Sequence, residues 1–397
     1  MPQPITDILV REAGRIGTDI YNRNFATSPW IHLTPRGVFP AAMGESIGVL
    51  TYERNAPTSV HQWMDVTIAD GQAGGTCIPA AQQVDMGSTL RNYNLKRLAL
   101  KGPRFCAEEQ RPVFALRDQL DSIVGVLAEY SRIEWETRDR HEYMRLCKRK
   151  VIINDTGVFE DNTGKPGFDT FTWGTPGVLT QGVLDKFSLK LQRDGAGQSA
   201  MGKLDGRPVF TVILGAEASE NIIKGDDDNR NDLRWGKPDE LLRQIGVERT
   251  YRGIFHVVDP YPIRYKVVGA APGVLTEVSP FIASAATKGT KVDINPEWED
   301  PTIAIWEVGY FYDRTVFNQL IPEPIVAPHP KFKFDPVTYT GDWAILNILD
   351  EVENPRGQII FHHGILAAGS KPIHPERGIA FMYKRCDANL ALTGNCP

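Results

Sequence analysis

The chain has 397 residues and a mass of 44.3 kDa, two to three domains' worth of polypeptide at roughly 150 residues per domain. With 42% hydrophobic and 23% charged residues, it has the composition of a folded protein able to bury a substantial core, which excludes wholesale disorder. A net charge of −5 and a pI near 6.0 exclude a dedicated nucleic-acid binder, which needs concentrated Lys and Arg to neutralise phosphates.

No apolar run reaches the roughly 18 residues that a membrane-spanning helix requires. Asp7 and Glu12 interrupt the N-terminal stretch where a secretory leader needs an unbroken apolar core. The five cysteines, at 77, 106, 147, 386 and 396, are odd in number and lack CxxC spacing. They point to a reducing compartment and away from a disulfide framework.

In chain order, Ile5, Ile8, Leu9, Ala13 and Ile16 predict a short amphipathic helix over 4–20. From Asn22 to Gly44 the chain is broken by Pro29, Pro35 and Pro40 with Trp30 and Phe39 between them. It reads as an extended arm lying on some other surface. Alternation in 47–53 and 62–70 predicts a two-stranded ribbon turning at Asn55–Pro57, followed by an extended stretch from Ser88 to Leu100. Such a ribbon is marginal alone in water and needs cover.

The spacing of Leu116, Leu120, Ile123, Leu127 and Tyr130 after Pro112 predicts one long helix over 112–146. Its second half is thick with Glu, Asp and Arg at helical pair spacings. A strand and turn at 151–164 precede a helix capped by Thr180, with Val183, Leu184, Phe187 and Leu191 inward and Gly195 as its stop. An alternation follows: strand 208–214, helix 216–224, an acidic loop, helix 238–245, strand 251–259 and strand 303–312. The last third, after a proline-rich stretch from Pro322 to Pro336, predicts strands near 343–350, 358–366 and 378–385. The fold class is therefore α+β.

Motifs of chemistry fail on context. Gly44-Glu-Ser46-Ile-Gly48 matches a nucleophile elbow, but a strand follows the Ser where a helix must. Gly197 to Lys203 resembles a phosphate loop, yet Leu204 stands where Ser or Thr must ligate magnesium. The overlapping Gly195 to Ala200 fails as a dinucleotide loop for want of a strand before it and a helix after. In His141-Glu142-Tyr-Met-Arg145, Arg145 replaces the second zinc-binding His, so Glu142 and Arg145 read as a helix-surface pair. Adjacent His362 and His363 in a strand point to opposite faces. The acidic run at 226–232 lacks the Gly and the Glu of a calcium loop and reads as a solvated connection. The sequence yields no catalytic residue, cofactor or metal site, so the chain does not read as an enzyme.

The order of elements, and above all VLTQGVLDKFSLKLQRDGA followed by DGRPVFTVILGAEASENIIK, NRNDLRW and LLRQIGVERTYRGIFHVVDPYPIRY in 178–265, resembles the major capsid proteins of tailed phages, podovirus-like, with the Hong Kong 97-type shell fold. The stretch GDWAILNILDEVENPRGQIIFHHGILAAGSKPIHPERGIAFMYKRC is similar to the C-terminal part of the same family. By layout, that resemblance implies an N-terminal arm over 1–46, an extended loop over 47–105, a peripheral domain over 106–174 with spine helix 112–146, an axial domain over 175–325 and a β-rich return over 326–397.

It further implies self-assembly as hexamers and pentamers into an icosahedral head around double-stranded DNA. The implied setting is the virion, assembled in the host cytoplasm, with portal and possible scaffolding or decoration proteins as partners and only non-specific contact with packaged DNA. An encapsulin-like compartment shell shares this fold; a tail or portal component and a soluble hydrolase using Ser46 are the rivals. The chain has no charged scaffolding segment ahead of the arm, which implies a separate scaffolding protein or none. The Lys–Asn pair of cross-linking relatives cannot be placed, although Lys96 and Lys101 lie near the loop's end. Trp30, Phe39, Trp63 and Met64 sit in segments too thin to bury them, which makes them the candidate inter-subunit contacts.

Overall fold

The computed structural model describes residues 30, 33–39, 46–54, 86–105, 133–155, 159–161, 167–168, 177–194, 202–204, 207–225, 249–251, 254–269, 273–283, 292–322, 326–327, 337–340, 343–347 and 359–385. The helices expected over 4–20 and 238–245, the strand at 62–70, the first part of the long helix, Gly195 and the acidic run at 226–232 lie outside these residues.

The centre is a ten-stranded sheet whose main path runs β5 (Phe159–Asp161), β4 (Arg149–Ile153), β21 (Ile379–Lys384), β14 (Trp306–Tyr312), β7 (Arg207–Gly215), β9 (Ile254–Asp259) and β8 (Arg249–Tyr251). The short β6 (Gly202–Leu204) pairs with β7, and β10 (Arg264–Val268) pairs with both β14 and β11 (Val274–Val278). All seven residues of β14 are buried. Trp306, Val308, Tyr310 and Tyr312 line one core, and Phe311 lines the other. A strand whose alternate residues fill two apolar layers must be covered on both faces.

Helical residues 133–146 cover the first face with Tyr143 and Met144. Helices Gln181–Asp194 and Ala216–Gly225 cover the second with Val183, Leu184, Phe187, Leu191, Ala218 and Ile222. The four inward residues expected of the 181–194 helix are all buried, and Gln181 at its start is buried with them. Its first turn closes on Thr180, whose carbonyl accepts from the backbone N–H groups of Val183 and Leu184. Strands β7 and β9 run parallel with helix Ala216–Gly225 in the connection, as parallel neighbours require.

The strand expected at 303–312 begins at Trp306. Asp300 and the residues after it form a turn instead, in which the Asp300 carboxylate accepts from the N–H and hydroxyl of Thr302. Just before it stands the short helix Pro296–Glu299, capped by the Asn295 side chain. The Asn-Pro-Glu pattern is a readable helix start that the sequence reading missed.

A second, six-stranded sheet has the order β16 (Val326–Ala327), β17 (Val337–Thr340), β18 (Trp343–Asn347), β19 (Ile359–Ala368), β3 (Met86–Phe105) and β2 (Ser46–Arg54). β3 has 20 residues, about 65 Å at strand rise. Its first part, 86–94, pairs with β2 and its second part, 95–105, with β19. The described residues give 46–54 a partner in 86–94; the expected partner at 62–70 lies outside them. The register with β19 shifts between Ile360 and His362, opposite Gly102 and Pro103, where a residue without an N–H can be accommodated.

Two smaller sheets complete the described fold. One is β12 (Phe281–Ala283) with β13 (Val292–Ile294). The other is β1 (Arg36–Phe39), β15 (Phe317–Pro322) and β20 (Lys371–Pro372). Here the arm enters the body: β1 runs parallel to β15, with Gly37 opposite Leu320. A Cβ on Gly37 would lie 2.6 Å from a Leu320 methyl group, so glycine permits this close approach.

Candidate functional site

Two features stand out once motifs of chemistry are set aside: how the arm is fastened, and what the ribbon leaves uncovered. The fastening starts at Trp30, which is 0% exposed. Its ring meets Tyr143, Tyr310 and Tyr312 edge-on, with centroids 6.0, 5.2 and 5.9 Å away, the arrangement that aromatic quadrupoles favour. The indole Nε1 donates to Asp259 Oδ2 at 3.0 Å. Trp30 is thus buried in its own chain, which corrects its reading as an inter-subunit contact. The partners that cover it lie far along the sequence, on helix 133–146 and β14. Phe39 is placed in β1 opposite Pro322; Trp63 and Met64 lie outside the described residues.

Asp259, at the end of β9, collects three donors. Arg140 binds it in a fork, Nε to Oδ2 and Nη2 to Oδ1, both at 2.6 Å, a charge-assisted and geometrically exacting pair. Trp30 supplies the second donor, and the Tyr261 N–H the third at 3.1 Å. Arg140 also donates to Glu136 at 2.9 Å, one helical turn earlier, and its paired carboxylates hold the guanidinium firmly in its charged form against desolvation.

One residue away, buried Asp139 accepts from Thr34 Oγ1 at 3.2 Å and Gln319 Nε2 at 2.6 Å, with Arg36 Nη2 at 3.9 Å. Burial pushes the Asp139 carboxyl up, against the pull of Arg36 and Arg138. Asp139 therefore joins the arm, helix 133–146 and β15. On β15, Leu320 packs with Tyr93, Ile47 and Val49 at the base of the ribbon. Arm and ribbon thus share one anchorage.

A second buried ion-pair cluster ties β10 to β14. Arg264 and Glu307 are cross-strand partners bonded at 2.9 Å. Arg264 also donates to Glu217 and to the Trp298 carbonyl, and lies 3.7 Å over the Trp298 ring. Tyr383 donates to Glu307 from β21. Burial pushes the Glu307 carboxyl up while Arg264 pulls it down.

The uncovered surface lies on the ribbon. Leu50 and Leu90 are directly opposite in register and are 48% and 63% exposed. Gly48 and Asn92, also opposite each other and exposed, share their face. The other face carries Ile47, Val49 and Tyr93, turned toward Leu320. Period-two alternation has split the ribbon into one face for its own chain and one face open. A second exposed pair, Val268 and Val274, closes the β10–β11 hairpin beside Gly269 at φ 96°.

The residues of the failed motifs are spread apart. Ser46 starts strand β2, and Lys203 lies in strand β6. His362 and His363 are neighbours in β19. Arg145 and Glu142 bond at 2.6 Å on the helix surface, as expected. Among the described residues no three His, Cys, Asp or Glu side chains converge, and no helix is long and apolar enough to cross a membrane.

No family model matches the chain, and no curated protein sequence matches it. Solved structures of similar fold include the capsid of Ralstonia phage GP4, at 11% identity and TM-score 0.48 over 89% of this chain and 87% of that one. The capsid of cyanophage Pam1 is matched at 11% identity and TM-score 0.45 over 91% and 92%. A virus-like particle from Pyrococcus furiosus is matched at 11% identity and TM-score 0.38 over 92% and 97%.

Proposed function

We propose that the chain is a major capsid protein: copies of it assemble as hexamers and pentamers into the closed icosahedral head of a tailed phage. The observation that carries this reading is the split ribbon, one face packed on its own body and the other leaving Leu50 and Leu90 exposed, a surface for a second copy to cover. Covering each such side chain contributes up to about 1.5–3 kcal/mol, and a shell repeats the contact at every subunit. The anchorage at Asp139 and Asp259 supports the same reading, because a projecting ribbon transmits a subunit's position only if its base is rigid.

In this reading 1–46 is the arm, 47–105 the extended loop, 106–174 the peripheral domain, 175–325 the axial domain and 326–397 the return. The role is structural, without catalysis. The acidic surface limits adhesion of packaged DNA; portal, scaffolding and decoration proteins are partners by family resemblance. Heads purified with nucleic acid inside distinguish a capsid from an enzyme-packaging compartment.

The test uses a Leu90→Cys variant prepared in isotopically heavy and light forms, mixed before assembly and treated with a thiol cross-linker. Cross-links from the introduced thiol between heavy and light peptides are expected. Links confined to peptides of the same label would remove a second copy from this face.

A further inference from the structure

The helix 133–146 touches the β10–β11 hairpin through a histidine whose two ring nitrogens both face acceptors. His141 Nδ1 lies 2.6 Å from the Thr137 carbonyl oxygen, and Nε2 lies 2.8 and 2.9 Å from the two Glu277 carboxylate oxygens. A neutral imidazole has one N–H and can satisfy only one of these; an imidazolium has two and satisfies both. Among the described residues, the hairpin's strand pairing with the central sheet is short: β10 pairs with β14 only at Arg264 and Tyr265. Beyond that pair its hold is apolar, through Leu275 and Val267 on the central core, and it ends at the exposed Val268–Val274 pair.

We infer that His141 and Glu277 form a proton-operated clasp that tightens the β10–β11 hairpin on helix 133–146 when the imidazole is charged and loosens it when the imidazole is neutral. This goes beyond a structural role in a shell and does not depend on it. The charges around the clasp are accounted for. On the helix, Arg138 stacks on Trp135, Arg140 is held by Asp259 and Glu136, and Arg145 is held by Glu142. On the hairpin, Lys266 pairs with Glu297, and Tyr265 faces Met144. Glu277 is thus the carboxylate that the ring meets.

Partial burial disfavours the charged ring, as does Arg140, but the hydrogen bond and charge of Glu277 outweigh them and raise the His141 pKa above its ordinary 6.5. The sign follows. A group whose pKa is higher folded than unfolded contributes its full stabilisation below about 6.5, and that contribution is lost as pH rises through the folded value.

The test is hydrogen exchange of the full chain across pH 5.5 to 9, with rates corrected for intrinsic pH dependence, alongside an NMR titration of the histidines. Amides of 266–268 and 274–276 in the unaltered chain are expected to lose protection several-fold as pH passes the His141 pKa, while β7 and β14 amides hold. His141→Gln and Glu277→Gln are each expected to show the unprotected, pH-independent behaviour of that hairpin at every pH. A His141 pKa at or below 6.5, or hairpin protection in the unaltered chain that does not change with pH, would overturn the clasp.

Discussion

Replacing Leu50 by Lys and Leu90 by Glu in the same chain is expected to abolish particle assembly at concentrations where the unaltered chain assembles. The pair stand directly opposite in the β2–β3 register, so opposite charges there keep the ribbon itself intact. The intrachain face, with Tyr93 and Val49 against Leu320, is untouched. A second copy, however, would have to bury two charges where it had buried two leucines. Losing the apolar term alone, about 1.5–3 kcal/mol per side chain, raises the assembly threshold by more than tenfold, since 1.4 kcal/mol is about a factor of ten. The unfolding midpoint of the unassembled chain should hardly move, because exposed positions usually change stability by no more than about 0.5 kcal/mol. Assembly at the unaltered threshold would remove the ribbon face from the account.

Asp259→Ala is expected to be among the most destabilising single substitutions, and for a different reason. It leaves Arg140 buried with its forked partner gone, removes the acceptor of the Trp30 indole and frees the Tyr261 N–H. Breaking one side of a buried pair costs about 3–5 kcal/mol. Glu136 remains 2.9 Å from Arg140 and partly compensates, which places the expected loss near the lower end, about 3 kcal/mol. Against a total stability of about 5–15 kcal/mol, denaturant unfolding should register it clearly. Trp30→Phe keeps an aromatic ring among the tyrosines but loses the Nε1 donor and part of the buried indole, so it is expected to cost about 2–3 kcal/mol. A loss below about 1 kcal/mol for Asp259→Ala would mean that the arm is not fastened through this carboxylate.

Much of the fold was legible because its signals are local. The inward face of helix Gln181–Asp194 came from Val183, Leu184, Phe187 and Leu191, and the strands at 207–215, 359–368 and 379–384 came from short apolar runs. The anchorage was not legible. Glu136, Asp139 and Arg140 look like the solvated side of a charged helix, yet they share a buried stripe with Trp135, Tyr143 and Met144. Spacing does hint at this: Trp135, Asp139 and Tyr143 stand four apart, so the acid lies on the aromatic face. What no spacing reveals is the partner, since Asp259, Thr34 and Gln319 reach the helix from distant segments. The same blindness assigned Trp30 to a neighbouring copy and left the pairing of β2 with 86–94 unread.

The measurement closest to the central claim is the mass of the purified full chain by light scattering, with electron micrographs of the same fractions. The account predicts capsomers at five or six times the 44.3 kDa chain mass, together with closed shells in the megadalton range. A 44.3 kDa monomer at every concentration, even with crowding agents, would contradict it.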